Sequence, residues 1–295
     1  MKARTLITIA LAATMLVACN KDESEMNNWK GEIRLSSGVT MQQTRANDSN
    51  VPDKQIANGQ QVQVVVTKQS ADTEAEAGYG YNQALTAQGD GTFAAPGTAM
   101  FYPKSGQGVS IYAYHPSTAT ASFSVIEDQG KADGTDYFQS DLLYSAKTDY
   151  AKQSGSHALS FDHKLSKLTY TLTAGTGSPS LTGATVVWMN VLKSAPFTAA
   201  TGVVGTASGS AVTITPHTTY GAIIVPQTVN ASTKLLKVTL AGGGELYYTP
   251  TTDQVFEGGK KYNYTITVNL SGLTVTSSIT DWDSVGNNRT GTAEM

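Results

Sequence analysis

The amino-acid sequence predicts an all-β protein whose antiparallel sheets pack as β-sandwiches. Charged residues make up only 15% of the chain, whereas Thr, Ser, Gly and Tyr are abundant, and this balance favours strands and turns over helices. Short apolar or alternating segments recur between glycine-rich turns, without the βαβ rhythm of a parallel α/β sheet. The segments predicted as strands include 61–67, 109–113, 168–172, 186–191, 222–225 and 235–240.

The chain is long enough for two domains. It has 295 residues, and a polar, irregular stretch at 128–156 separates the earlier strand candidates from a new one that starts at Leu159. We therefore predict two tandem β-sandwich domains, an N-terminal one at 46–158 and a C-terminal one at 159–295.

The N-terminus has the pattern of a lipoprotein signal peptide. Lys2 and Arg4 precede an apolar run, Leu6 to Val17, that is too short to span a bilayer. The run ends in Leu-Val-Ala-Cys, which resembles the bacterial lipobox, and Cys19 is the single cysteine of the chain. We predict that residues 1–18 are removed and that a lipid on Cys19 anchors the protein to the outer membrane.

The residues after the cysteine form a polar tether. Residues 20–25 read Asn-Lys-Asp-Glu-Ser-Glu and are too charged to join a hydrophobic core. Acidic residues at this position resemble the surface-export signal of Bacteroidetes-type lipoproteins. The expected location is therefore the outer face of the cell.

A strand-like segment follows the tether and ends at a candidate cleavage site. Ile33, Leu35, Val39 and Met41 alternate with polar residues, the pattern of a half-buried strand. The polar loop behind them contains Arg45, and polar loops are preferred sites of proteolysis. We interpret 19–45 as a lipidated pro-segment whose strand is removed after a cut at Arg45, leaving a groove. An ordinary first strand followed by an ordinary loop is the alternative.

The clearest β pattern lies near the C-terminus. Apolar side chains alternate with polar ones from Tyr262 to Leu270, and a second alternating run returns through Leu273, Val275 and Ile279. Such a strand either completes its own sheet or is lent to a neighbouring protein, whose sheet it extends through main-chain hydrogen bonds.

Several short motifs together resemble the fimbrillin proteins of Bacteroidales. Two of these motifs are the lipobox cysteine and the alternating strand that ends at Thr-Arg-Ala. The other motifs are distributed over most of the chain in the family's order and spacing. These further motifs are Phe161-Asp-His163, Leu165 to Leu168, Val225-Pro226-Gln227, Phe256 to Tyr262, Leu273 to Val275 and Ile279 to Trp282.

The resemblance implies a fold and an assembly mechanism. The fold would be two β-sandwiches of transthyretin-like topology. By position, Cys19 would carry the lipid, Arg45–Ala46 would be the bond cut by a trypsin-like or gingipain-type protease, and Ile33 to Met41 would be the withdrawn strand. The segment from Leu273 would contain, or lead into, the strand donated to the next subunit. The implied partners are other pilin subunits in a head-to-tail polymer and receptors on host or bacterial surfaces; stalk, tip and accessory positions stay open.

The sequence offers no catalytic or cofactor-binding pattern. Its histidines lack metal-ligand spacing, and His163 is expected to be a hydrogen-bonded structural residue; the four are His115, His157, His163 and His217. Asp128, Asp133 and Asp136 do not have the spacing of an EF-hand loop. A formal net charge of −3 without clustered Lys and Arg argues against nucleic acid as a partner. We predict a non-enzymatic protein without a cofactor.

A second function remains open at this point. A monomeric surface lipoprotein could bind glycans for nutrient uptake, and four strand tyrosines could stack on sugar rings. Tyrosines next to each other on strands also commonly cover the edge of a core. The tyrosines concerned are Tyr112, Tyr114, Tyr247 and Tyr248.

Overall fold

The computed structural model describes residues 29–39, 55–177 and 179–282, and almost all regular structure in these ranges is β-strand. A single short helix, α1 (Thr135–Gln139), lies among nineteen strands in this part of the chain. The prediction of an all-β protein is therefore confirmed. The strands are β1 (Arg34–Val39), β2 (Gln61–Lys68), β3 (Gly80–Thr86), β4 (Val109–His115), β5 (Ser122–Ser124), β6 (Leu143–Tyr150), β7 (Ser156–His163), β8 (Ser166–Ala174), β9 (Thr185–Val191), β10 (Ser194–Thr198), β11 (Val203–Val204), β12 (Val212–Ile214), β13 (Ala222–Ile224), β14 (Gln227–Val229), β15 (Leu236–Thr239), β16 (Glu245–Tyr248), β17 (Gln254–Phe256), β18 (Lys260–Asn269) and β19 (Gly272–Asp281).

The first half of the chain builds a six-stranded sheet in the order β1-β7-β6-β4-β2-β3. Apolar residues at every second position bury one face of this sheet: Val62, Val64 and Val66 of β2 are at most 1% exposed. Ile111 of β4 and Phe161 of β7 are completely buried. Period-two alternation thus gives β2 and β7 one apolar face each, and together these faces form a core under the sheet.

The second half contains two four-stranded sheets, β12-β9-β15-β16 and β13-β8-β18-β19. Their buried side chains belong to one hydrophobic cluster that includes Trp188, Ile223 and Ile266. Trp188 of β9 meets Tyr264 of β18 edge-on, with 4.8 Å between the ring centroids. Two small sheets, β11-β10-β5 and β14-β17, complete the strands that the structure describes.

The prediction of antiparallel sheets is wrong for two strand pairs. β1 pairs with β7 in parallel, and β18 pairs with β8 in parallel over nine positions, from Lys260 opposite Ser166 to Val268 opposite Ala174. Parallel neighbours need a long connection, and many residues separate the two members of each pair. Sequence alternation alone does not show strand direction, so these pairings were not predictable from the pattern.

The polar stretch at 128–156 contains regular structure. It contains α1 and β6, and β6 pairs with both β4 and β7 in the six-stranded sheet. The boundary predicted between residues 158 and 159 falls inside β7, and the chain enters the next sheet at Ser166. The described residues from Gly31 onward form one compact unit. The two-domain division and its transthyretin-like topology stay predictions.

In the ranges that the structure describes, we find no helix with the length and apolar character needed to cross a membrane.

Candidate functional site

The strand predicted to be removable is the edge strand β1. It pairs with β7 in parallel, in a register that runs from Arg34 opposite Ser156 to Val39 opposite Phe161. β1 lies at one edge of the six-stranded sheet, so its removal would leave the pairing of the other five strands unchanged.

The other side of β1 and of the residues directly before it is also hydrogen-bonded, to a loop that covers residues 91–102. Ile33 N donates to Met100 O at 2.7 Å and Ser37 N donates to Gly91 O at 2.8 Å, while Tyr102 N donates to Gly31 O at 3.0 Å. β1 therefore lies in a groove with a strand on one side and this loop on the other. Without β1, backbone donors and acceptors on both sides would lose their partners.

A glycine permits the close approach of that loop. Gly91 has a φ of +87°, and a Cβ built on it would lie 3.0 Å from the carbonyl oxygen of Ser37. A side chain at position 91 would be strained by its backbone conformation and crowded against β1.

The side chains of β1 and of the residue before it are buried to different extents. Ile33, directly before β1, and Val39 are 5% and 6% exposed, whereas Leu35 is half-buried and Arg34 is exposed. Beside β1, Leu159 and Phe161 of β7 lie opposite Ser37 and Val39 in the register and are almost completely buried. β1 thus borders a row of buried apolar side chains, with well-buried residues of its own segment at Ile33 and Val39 and a less buried one at Leu35.

The β7 residue beside Leu35 is a histidine. His157 lies opposite Leu35 in the β1–β7 register, and its Nε2 is 2.5 Å from the Tyr102 hydroxyl. Loss of hydration on burial lowers the pKa of His157 below its ordinary value of 6.5. The ring is therefore uncharged at neutral pH, and the groove presents an apolar and hydrogen-bonding surface there.

Several predicted site residues lie outside the described residues. These are Cys19, Met41, Arg45 and Ala46. Lipidation of Cys19, the cut between Arg45 and Ala46, and the position of Met41 in the removable strand stay predictions.

The predicted donor residues lie in β19. This strand pairs with β18 along its whole length, from Gly272 opposite Asn269 to Asp281 opposite Lys260. Val275 is 2% exposed, Leu273 is half-buried and Ile279 is 38% exposed. β19 completes its own sheet, and among the described strands none pairs with its outer edge. Donation of β19 itself would require this long ladder to separate; its role as donor stays a prediction.

The ends of β7 and β19 meet at a buried polar cluster. The His163 ring stacks on Trp282 at 3.8 Å between centroids and 7° between planes, and its Nδ1 lies 2.9 Å from an Asp141 carboxylate oxygen. Lys167, only 3% exposed, places its ammonium 5.6 Å from the Trp282 ring centroid and 5.7 Å from that of Tyr137. The strand alternation gave no sign that Lys167 is buried. The contacts of His163 fit the structural role predicted for it.

The four tyrosines proposed as a sugar platform do not share a surface. Tyr114 packs edge-on against Phe197 at 5.7 Å, and Tyr112 lies on the same face, 6.5 Å from the Tyr144 ring. Tyr248 is 7% exposed, whereas the neighbouring Tyr247 lies on the opposite face of β16 with Lys234 over its ring at 3.9 Å. These positions favour the alternative that strand tyrosines cover core edges.

No group of three or more His, Cys, Asp or Glu side chains in the described ranges is arranged to hold a metal ion. Asp128, Asp133 and Asp136 make local contacts instead. Asp128 accepts from Gly130 N, Asp133 accepts from Thr135 N, and Asp136 pairs with Lys131 at 2.8 Å.

Comparison with known proteins identifies the family. A family model described as fimbrillin-like matches residues 44–282, well over half of the chain. The chain belongs to the fimbrillin-like family. The resemblance inferred from short motifs is thereby confirmed. The match begins immediately before Arg45, so β1 lies outside it.

Relatives of this fimbrillin-like chain include proteins of Bacteroides. It is 28% identical over 314 residues to Fim1C, a proposed fimbrium subunit of Bacteroides uniformis, and the match covers 100% of both chains. The crystal structure of a proposed cell adhesion protein from B. uniformis is similar with a TM-score of 0.64 and 25% identity, over 85% of this chain and 98% of that chain. A proposed cell adhesion protein from Bacteroides ovatus shares the fold, with a TM-score of 0.64 and 20% identity over 85% and 97% of the two chains.

Proposed function

We propose that this protein is a structural subunit of a surface fimbrium that is assembled by strand replacement and supports adhesion. It would be exported as an outer-membrane lipoprotein through Cys19 and cut between Arg45 and Ala46. A strand from a neighbouring subunit would then replace β1. The proposal is supported by the position of β1, which is hydrogen-bonded on both sides in a groove. The strand ends six residues before Arg45 and lies outside the family match.

The covalent connection through residues 40–45 would hold β1 in place before the cut. Two well-buried side chains, Ile33 and Val39, contribute about 1.5–3 kcal/mol each, so the apolar part of the contact amounts to about 3–6 kcal/mol. A free energy of about 4 kcal/mol corresponds to a Kd of about 1 mM. A flexible tether supplies an effective concentration of roughly that order, whereas a free segment is far more dilute.

The cut would therefore change a retained strand into a replaceable one. An empty groove would have unpaired backbone groups on β7 and on the 91–102 loop and would uncover apolar side chains of β7 such as Phe161. Sheet edges of this kind associate readily with other strands. A strand from a neighbouring subunit would pair with the backbone groups and cover the apolar side chains. Head-to-tail donation of this kind is a heterologous contact, which builds a filament when it does not close into a ring.

Limited digestion tests the proposal. Trypsin treatment of the purified protein should cut at Arg45 and should be followed by ladders of high-mass species that resist mild SDS. A parallel sample kept with trypsin inhibitor is the control and should remain a single band. If complete cleavage at Arg45 left only single copies, assembly by strand replacement would be wrong.

A further inference from the structure

The 91–102 loop, which forms the second side of the groove, is also hydrogen-bonded to β3. Ala94 N donates to Thr86 O at 2.8 Å, and Gln83 Nε2 donates to Thr98 O at 3.2 Å. Thr86 and Gln83 belong to β3, which lies at the edge of the six-stranded sheet opposite to β1. The loop therefore joins the two edges of this sheet and has an attachment of its own to β3.

Two tyrosine hydroxyls hold the last part of the loop. Tyr79 OH donates to Phe101 O at 2.7 Å, and Phe101 N donates to Tyr81 OH at 3.1 Å. The neighbouring groups Met100 O and Tyr102 N bond instead to the residues directly before β1. Backbone groups of successive residues in an extended segment point to opposite sides. The two hydroxyls thus occupy the place where a neighbouring strand would pair with Phe101.

Tyr79 and Tyr81 also contact each other. Their rings meet edge-on with 5.8 Å between centroids, and both side chains are half-buried. Loss of hydration on burial raises the pKa of Tyr79 above its ordinary value of 10, so its hydroxyl keeps the proton that it donates to Phe101. These contacts include no residue of β1, so they do not depend on its presence.

A groove with two fixed sides binds a strand at a lower entropic cost. An incoming strand loses its own conformational freedom on binding. If the 91–102 loop had to be ordered in the same step, the cost of fixing its backbone would be added. Contacts that hold the loop without β1 therefore favour the entry of a strand.

This inference rests on the proposed function and concerns how the groove receives the incoming strand. We propose that Tyr79 and Tyr81 are positioning residues, which keep the 91–102 loop in place after β1 has left. The groove is then preformed for the strand that replaces β1. The backbone acceptor Met100 O and the donor Tyr102 N stay where that strand can bond to them.

Hydrogen–deuterium exchange tests the position of the loop in trypsin-cut protein, freed of the released segment and kept dilute enough that subunits stay single. The double variant Tyr79→Phe, Tyr81→Phe keeps both rings and removes both hydroxyls. Its 91–102 peptide should exchange about tenfold faster than that of the wild type, because two hydrogen bonds are lost. Tyr144→Phe is the matched control; it removes a hydroxyl that donates to Ala200 O at 3.0 Å, and the 91–102 peptide should exchange as in the wild type. Equal exchange in the wild type and the double variant would overturn the proposal.

The rate of ladder formation after complete cleavage tests whether the position of the loop matters for assembly. The double variant should assemble at about one tenth of the wild-type rate, because only molecules with the loop in place accept a strand. Tyr144→Phe should assemble at the wild-type rate, which separates this effect from a general loss of stability. A double variant that assembles as fast as the wild type would refute the positioning role and leave strand replacement intact. Complete cleavage of the wild type without ladders would refute the proposed function, and this inference with it.

Discussion

Arg45→Ala is expected to abolish assembly while leaving a folded, monomeric lipoprotein. With the 40–45 connection intact, β1 competes for its groove at an effective concentration of roughly 1 mM. A neighbouring strand at about 1 µM is then at a disadvantage of about a thousandfold. Mild SDS electrophoresis of surface material should show a single band for the variant and a ladder for the wild type.

Arg45→Lys is the matched control for this substitution. A trypsin-like protease also cuts after lysine, so Arg45→Lys should assemble as the wild type does. Circular dichroism should show the same strand content for all three proteins. Ladders from Arg45→Ala at wild-type yield would show that assembly does not depend on this cut.

The second expected result is that weakening β1 restores assembly to the uncut protein. Val39 is 6% exposed and lies opposite Phe161, which is completely buried. An aspartate at position 39 would place a carboxylate among buried apolar side chains at a cost of several kcal/mol, which is comparable to the whole apolar contribution estimated for Ile33 and Val39. The double variant Arg45→Ala, Val39→Asp should therefore form ladders that Arg45→Ala alone does not form.

Gly38 provides the control for that double variant. A Cβ at position 38 would meet no atom within 4 Å, so an aspartate there points into open space on the same strand. Arg45→Ala, Gly38→Asp should stay monomeric. Failure of the Val39→Asp version to assemble, with its fold intact, would mean that cleavage does more than release β1.

The strand of the candidate site could be predicted from the sequence because its pattern is local. Ile33, Leu35 and Val39 alternate with polar residues, and this alternation is enough to predict a half-buried strand. The groove around β1 was beyond prediction. Its second side is made by Gly91 and Met100, whose stretch shows no strand-length alternation, and their contacts with β1 depend on tertiary packing.

The difference between local sequence patterns and tertiary contacts also explains the other differences between prediction and structure. β6 was missed because its later residues are exposed and polar, so Leu143 to Tyr150 has no continuous apolar alternation. Burial of Lys167 follows from Tyr137 and Trp282, which are distant in sequence and approach it only in the folded chain. Local periodicity predicts strands, whereas partners and direction are set by contacts between distant segments.

The most direct test of strand replacement is the N-terminal sequence and intact mass of subunits taken from the high-mass polymer on the cell surface. Strand replacement predicts subunits that begin at Ala46, in a polymer free of the 19–45 segment. Polymer subunits that begin at an acylated Cys19 and still contain β1 would contradict it.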